Sequence, residues 1–351
     1  MKNAKLSFED SVAEAIIGTG KCVGCGACVL VCPFNCLEYF DEKPFLTKEC
    51  KVCGICARVC PQYEFPLQQI ENLIFGRKRN TDEIFGVYRK LVLARAVNNQ
   101  ILNVCQNGGA ITALLLFALK NNLIEGAVVA KSDKKRPFFP YPAFVTSDEE
   151  ILQSAGTKYF YSPNVLALAE AVEQKKNSIA FVGTPCHIRA LRKMQLVGLN
   201  KHVASLRLLI GLACSECFTY EGLINNHIHG KLGINPDSIK KININGKMLV
   251  TLENGTVAMP LAKVKRYARK SCHSCEDFSS ELADISAGGL GLDGWTFIII
   301  RTKNGEEFFS AAEKAGAIVT RNVVNEPNAL NLLIKLSSKK QTSARMLLNG
   351  S

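Results

Sequence analysis

From about residue 91 onward, apolar positions follow two alternating rhythms. Leu91-Val92-Leu93-Ala94, Ala127-Val128-Val129-Ala130, Ser178-Ile179-Ala180-Phe181-Val182 and Arg207-Leu208-Leu209-Ile210 are short, nearly unbroken apolar runs of the kind that form buried strands. Between them, residues 109–120, 165–174 and 188–194 carry the longer periodicity of helices. Strand and helix in alternation predict a mostly parallel α/β core. Residues 242–257 break the rhythm, because Asn245-Gly246 and Asn254-Gly255 sit between β-rich runs as hairpin turns and predict a small antiparallel insertion. Residues 328–348 predict an amphipathic helix, with nothing in the sequence to indicate what it packs against.

No apolar run reaches the roughly 18 residues of a membrane span. The longest, over 111–119, stops at Lys120-Asn121-Asn122. Met1-Lys2-Asn3-Ala4-Lys5 leads into Phe8-Glu9-Asp10 instead of the apolar core of an export signal. The expectation is a cytoplasmic protein without a transmembrane segment, or one peripheral on the cytoplasmic face of a membrane. Its 351 residues suit one small and one large domain, and 47% hydrophobic residues support a packed core.

Fifteen cysteines in a reducing compartment point to metal binding or redox chemistry, not to a disulfide framework. Nine fall between Cys22 and Cys60 and six are scattered from Cys105 to Cys275, which divides the chain at the basic stretch Gly76-Arg77-Lys78-Arg79-Asn80. Cys22-x2-Cys25-x2-Cys28-x3-Cys32-Pro33 recurs as Cys50-x2-Cys53-x2-Cys56-x3-Cys60-Pro61. In this repeat three thiolates grip one [4Fe–4S] cubane and the fourth cysteine crosses to the other. Cys22, Cys25, Cys28 and Cys60 are therefore expected to hold one cluster, and Cys32, Cys50, Cys53 and Cys56 its twin. Gly24, Gly26 and Gly54 permit the tight backbone that aims amide N–H groups at sulfur. Two four-cysteine zinc sites are the competing reading, but zinc does not need eight interleaved cysteines. Cys36 is left over as a buried free thiol.

The second half resembles the beta-subunit family of coenzyme F420-reducing hydrogenases and F420H2 dehydrogenases. The resemblance rests on Asn107-Gly108-Gly109-Ala110-Ile111-Thr112, Gly156-Thr157-Lys158-Tyr159, Gly183-Thr184-Pro185-Cys186-His187 through Arg192, Ile210-Gly211-Leu212-Ala213-Cys214, and Cys272-x2-Cys275-Glu276-Asp277-Phe278 leading into Leu282-Ala283-Asp284. It implies an α+β protein: a bacterial-type two-cluster [4Fe–4S] ferredoxin domain at residues 1–75, then a larger α/β flavin-binding domain at residues 76–351 with the small antiparallel insertion. It also implies FAD, coenzyme F420 as substrate, and a third [4Fe–4S] cluster on Cys186, Cys214, Cys272 and Cys275. The flavin contacts it suggests are Asn107, Gly108, Gly109, Thr112, Thr157, Lys158, Tyr159, Gly183, Thr184, Pro185 and Arg192, with Thr157, Lys158 and His187 near the isoalloxazine.

Each segment also has a blander reading. Gly108-Gly109 opens a helix, where free N–H groups could face a phosphate, but a lone glycine pair is more often a turn. Cys186-His187 could be a nucleophile with its base, although adjacent residues rarely face each other so. Cys214-x2-Cys217 with Cys272-x2-Cys275 would make a zinc ribbon; otherwise Cys105 and Cys217 are spare thiols. The run Lys263, Lys265, Arg266, Arg269, Lys270 is ordinarily a solvated face, or a dock for the phosphate and glutamyl tail of F420.

Coenzyme F420 exchanges hydride, whereas each cluster passes one electron, so a flavin must lie between them. The expected order is reduced F420, FAD, the cluster of Cys186, then the two ferredoxin clusters. The ferredoxin half on the same chain, and Gly288-Gly289-Leu290-Gly291-Leu292-Asp293-Gly294-Trp295-Thr296, resemble the F420H2 dehydrogenase input subunit more than the hydrogenase beta subunit. An F420-dependent sulfite reductase would need a sirohaem domain. The other class of function is a non-catalytic iron–sulfur carrier with a zinc ribbon. The partner is expected to be a membrane-associated electron-transfer complex or a soluble ferredoxin-like acceptor. Nucleic acid is not required: three clusters of about −2 and a flavin dinucleotide would offset roughly 8 of the +12 formal charge.

Overall fold

The computed structural model describes residues 6–349. The reading of Met1-Lys2-Asn3-Ala4-Lys5 lies outside the described residues. Among the described residues, no helix is long and apolar enough to cross a membrane.

The N-terminal unit wraps two short helices, Ala27–Leu30 and Ile55–Val59, around one hairpin, β1 (Leu37–Phe40) with β2 (Lys43–Leu46). Each helix is entered through a glycine with left-handed backbone, Gly26 at φ +78° and Gly54 at φ +69°. The repeat in sequence is thus a repeat in conformation.

The large unit is built on an eight-stranded sheet. In chain order its strands are β3 (Lys90–Ala96), β4 (Gly126–Ser132), β5 (Pro140–Val145), β6 (Ile179–Gly183) and β7 (Leu206–Leu212). A separate three-stranded sheet follows, β8 (Lys241–Asn245), β9 (Lys247–Leu252) and β10 (Gly255–Pro260), turning at the two predicted Asn-Gly pairs. The main sheet is completed by β11 (Ile285–Gly288), β12 (Thr296–Ile300) and β13 (Ile318–Asn322), in the order β13-β3-β12-β11-β7-β6-β4-β5. Only β4, β6, β7 and β11 pair in parallel; β5, β12 and β13 pair antiparallel. The expected parallel core is therefore the centre of a mixed sheet. β5 and β12 each follow a seven-residue loop, too short for a parallel crossover, whereas β13 returns over helix Lys303–Lys314 to the far side of β3 and pairs antiparallel with it.

Both faces of the sheet are apolar. Along β6, Ala180 packs on one side and Ile179 and Phe181 on the other; β7 alternates likewise through Leu208, Leu209 and Ile210. One face is covered throughout by helices Ala110–Lys120 and Lys303–Lys314. The other is shared. Over β4, β6 and β7 lie helix Pro185–Val197 and the N-terminal unit, with Val23, Ala27, Val31 and Val59 in one cluster with Ile188, Ala190 and Leu191. Over β3 and β12 lies the C-terminal helix Pro327–Asn349, through Ala329 and Leu333.

Because each buried aliphatic side chain is worth about 1.5–3 kcal/mol, the shared cluster fixes the two units together. The stretch after residue 75 is likewise no loose linker: Arg79 pairs with buried Glu71 and with Glu281, and Arg77 with Glu83 at 2.6 Å.

Candidate functional site

Two cavities in the N-terminal unit divide its cysteines. One is lined by Cys22, Cys25, Cys28 and Cys60, the other by Cys32, Cys50, Cys53 and Cys56 with Cys36 in its wall. Each is a void ringed by four sulfurs. Four cysteine sulfurs around one void are a donor set that a cubane takes. Backbone N–H groups point at sulfur in both: Gly24 to Cys22 Sγ at 3.4 Å, and Val52 and Phe8 to Cys50 Sγ at 3.4 and 3.3 Å. Such donors stabilise thiolate charge. Cys36 instead donates its S–H to the Glu49 carbonyl at 3.2 Å.

The carboxyl ends of β3, β4, β6, β7 and β11 share one edge of the sheet, the edge where open α/β sheets take ligands. Cys186 follows β6 and Cys214 follows β7. Cys272 and Cys275 arrive from the loop after the small sheet, and Cys186 feels the charge of Cys214, Cys275 and Cys272. Burial pushes the Cys186 thiol up to about 12, the other sulfurs adding to it. Cys217 belongs to the same group: its amide donates to Cys272 Sγ at 3.4 Å. Its thiol donates to Cys214, driving Cys214 down and itself up. Five cysteines therefore surround this third site, and Cys217 is no isolated thiol. Cys105 is elsewhere, its S–H on the Asn107 carbonyl at 2.8 Å.

The third site adjoins the first cavity, for Cys25 feels the charge of Cys186. Tyr161 and Arg269 stand close by. Arg269, 7% exposed, donates to the Val23 carbonyl at 3.0 Å and the Glu42 carbonyl at 3.2 Å, and its guanidinium lies 4.1 Å from the centre of the Tyr161 ring. Its own backbone N–H donates to the Cys217 carbonyl at 3.0 Å. One residue thus ties the first cavity to the third site. The basic run expected to be solvated has at this position a buried bridge.

Several residues expected at the flavin are used otherwise. His187 is 2% exposed and closes a capping box: Nδ1 accepts from the Thr184 amide at 3.2 Å, which leaves the proton on Nε2 to donate to Tyr161 Oη at 3.1 Å. Burial drives its pKa down to about 4, so it is neutral. A nucleophile–base pair is ruled out by this geometry, since the ring faces Thr184 and Tyr161. Thr184 Oγ1 lies 3.1 Å from Cys186 Sγ.

Arg192 is a buried ion pair, with Nη2 on Asp284 Oδ1 at 2.9 Å and Nε on the Leu282 carbonyl at 2.8 Å, and has no free donor fork for a phosphate. Lys158 spends its ammonium on the carbonyls of Ser154, Ala155 and Gly156, at the end of helix Asp148–Gln153, and burial lowers its pKa to about 8. Gly108 answers to packing: a Cβ there would lie 2.6 Å from the Ala94 oxygen and 2.7 Å from the Thr296 nitrogen. Pro185 and Gly183 flank the turn from β6 into its helix.

Other expected residues do converge. Helix Ala110–Lys120 opens at Gly109 with no side-chain cap, so the first-turn N–H groups through Thr112 are free. Asn107 lies against Gly289, at the end of β11. Gln106 Nε2 donates to the Ile242 carbonyl at 3.4 Å, and Tyr159 Oη accepts from the Ile244 amide at 3.2 Å. Loop 105–109, loop 156–159 with exposed Thr157, and strand β8 thus meet, and Lys241 and Arg95 add positive charge beside Cys105. An uncapped helix start with flanking cations fits a phosphate group.

Sequence comparison finds relatives for three parts of the chain. Residues 91–169 and 176–326 match the families described as the N-term and the C terminus of the coenzyme F420 hydrogenase/dehydrogenase beta subunit, and residues 15–38 match a 4Fe-4S binding domain. The coenzyme F420 hydrogenase subunit beta of Methanothermobacter thermautotrophicus is 36% identical over 74% of this chain and 94% of its own length. A subunit of the F(420)H(2) dehydrogenase of Methanosarcina mazei is 32% identical over 85% of this chain and 84% of its own. A chain of the F420-reducing [NiFe] hydrogenase complex from Methanosarcina barkeri superposes with a TM-score of 0.73 at 33% identity, covering 78% of this chain and 95% of that one.

Proposed function

Because the chain belongs to the coenzyme F420 hydrogenase/dehydrogenase beta-subunit family and carries a 4Fe-4S binding domain, we propose that it is the electron-input subunit of an F420H2 dehydrogenase. In this reading it oxidises reduced F420 through FAD and delivers single electrons through three [4Fe–4S] clusters to a membrane-associated complex or a ferredoxin-like acceptor. The observation that carries the reading is the adjacency of the third cysteine group to the first, which Arg269 joins by donating its side chain to the Val23 carbonyl and its backbone N–H to the Cys217 carbonyl, both at 3.0 Å.

When bound, FAD would supply the exchange between hydride and single electrons. The protein's own part is positional. The free N–H groups from Ala110 to Thr112, with Lys241 and Arg95, would anchor a flavin phosphate, and Thr157 and Tyr159 would form a wall of the ring site. Cys22, Cys25, Cys28 and Cys60 would receive electrons first from the third site, Tyr161 and Arg269 filling the space between, and Cys32, Cys50, Cys53 and Cys56 would release them. His187 and Arg192 act as positioning residues: one holds Tyr161 and the turn bearing Cys186, the other locks helix Pro185–Val197 to Asp284.

The F420-reducing hydrogenase beta subunit is the second reading, favoured by the 36% identity to such a subunit. Anaerobically purified protein should contain about twelve iron, no zinc and releasable FAD. Reduced F420, and not NADH or NADPH, should bleach it. Protein that lacks flavin and refuses it on reconstitution would overturn the proposal; about eight iron with one zinc would favour a carrier with a zinc ribbon.

A further inference from the structure

The C-terminal helix Pro327–Asn349 begins after the last residue that matches the family. Its buried stripe runs through Leu333, Ser337 and Ala344, which are 1%, 0% and 0% exposed. The spacing of four and then seven leaves one missing step on that stripe, and the residue there is Lys340. An apolar residue would be expected, because a charge placed against the protein interior is costly unless it is compensated.

Lys340 Nζ donates to the Cys214 carbonyl at 2.6 Å, its one hydrogen-bond acceptor among the described residues. A carbonyl satisfies one of the three N–H bonds but cannot balance the charge. The groups that face the ammonium are Cys275, Cys214 and Cys272, whose sulfurs carry negative charge once they ligate a cluster, and the Asp277 carboxylate. The next residue, Gln341, donates to the Ile84 carbonyl at 2.8 Å and secures the helix at this height.

Resting on the cluster reading of Cys186, Cys214, Cys272 and Cys275, we propose that Lys340 is the resident counter-charge of the third site. Carried in on the C-terminal helix, it is a positioning residue that raises the reduction potential of a [4Fe–4S] cluster bound there. A fixed cation beside the cubane favours the more negative, reduced form, so it draws electrons from the flavin toward the cysteines.

The test is an EPR-monitored redox titration, with iron analysis, of the full-length holoprotein as wild type, K340M and K340R. Methionine keeps the packing and removes the charge; arginine keeps the charge. K340M should leave the third cluster harder to reduce by about tenfold, which is about 59 mV for a one-electron couple, with the two N-terminal signals unmoved and K340R near wild type. Loss of about four iron in K340M, restored in K340R, would equally show that the charge is what the cluster needs. Full iron with an unshifted third potential in K340M would overturn the assignment, as would equal shifts or equal iron loss in both variants. Wild type with about eight iron and one zinc would remove the cluster itself, a failure of the underlying reading that is distinguishable from the others.

Discussion

At Gly24 and at Val52, the third residues of the two cysteine loops, the backbone makes the same left-handed turn, with φ +62° and +51°, and donates the same amide to sulfur at 3.4 Å. The surroundings differ. A Cβ on Gly24 would lie 2.5 Å from the Glu42 oxygen, 2.8 Å from Arg269 Nη2 and 2.9 Å from the Tyr39 hydroxyl. Val52 is 37% exposed, and its neighbour Cys53 is exposed while Cys25 is buried. One copy of a duplicated loop has been built into the seam between the two units, and the other has been left at the surface. A symmetric pair of cysteine groups thereby becomes unequal, an inner one beside Cys186 and an outer one at the surface.

The comparison breaks most sharply at the cysteines. C25S and C53S should each remove about one cluster, but C25S should also lower the melting temperature of the holoprotein by several degrees, since Cys25 belongs to the shared core, while C53S should melt near wild type. Equal melting of the two, followed by circular dichroism, would cancel the inner–outer distinction. R269M comes next, with an expected loss of about 2–4 kcal/mol, because it removes the bridge and leaves Glu42 without its cation. R269K should recover only part, since an ammonium cannot serve the Val23 and Glu42 carbonyls together while stacking on Tyr161.

Smaller effects should have opposite signs at equivalent positions. G24A should cost about 2–3 kcal/mol, combining backbone strain with the clash at Glu42. V52G should stabilise by about 1 kcal/mol, by relieving a β-branched residue from left-handed backbone. Chemical denaturation of the two holoproteins measures both, and a destabilised V52G would mean that the valine side chain has a contact worth more than its strain.

The cysteine spacing is local geometry, legible because a C-x2-C-x2-C loop has few ways to present three sulfurs. The strand runs of the central sheet and the Asn-Gly hairpins were legible for the same reason, since periodicity and turn chemistry act over a few residues. The antiparallel pairing of β12 and β13 was not, because a buried strand looks alike whichever way its neighbour runs.

Function-bearing side chains divide on the same principle. Asn107 and the free helix start after Gly109 stand at the sheet edge where the strand–helix pattern puts them. His187, Arg192 and Lys158 have partners within the chain that motif position does not reveal, and Thr184, Asp284 and three carbonyls supply them. Arg269 reaches Val23 across 246 residues, and Lys340 reaches Cys214 across 126. What the sequence determined by itself is therefore the chemistry each cysteine group can hold. Which group lies inside, which faces out and which cation sits beside the third site were decided only by tertiary packing, because electrostatic and hydrogen-bond partners are set by distance in space, and distance along the chain carries almost none of that information.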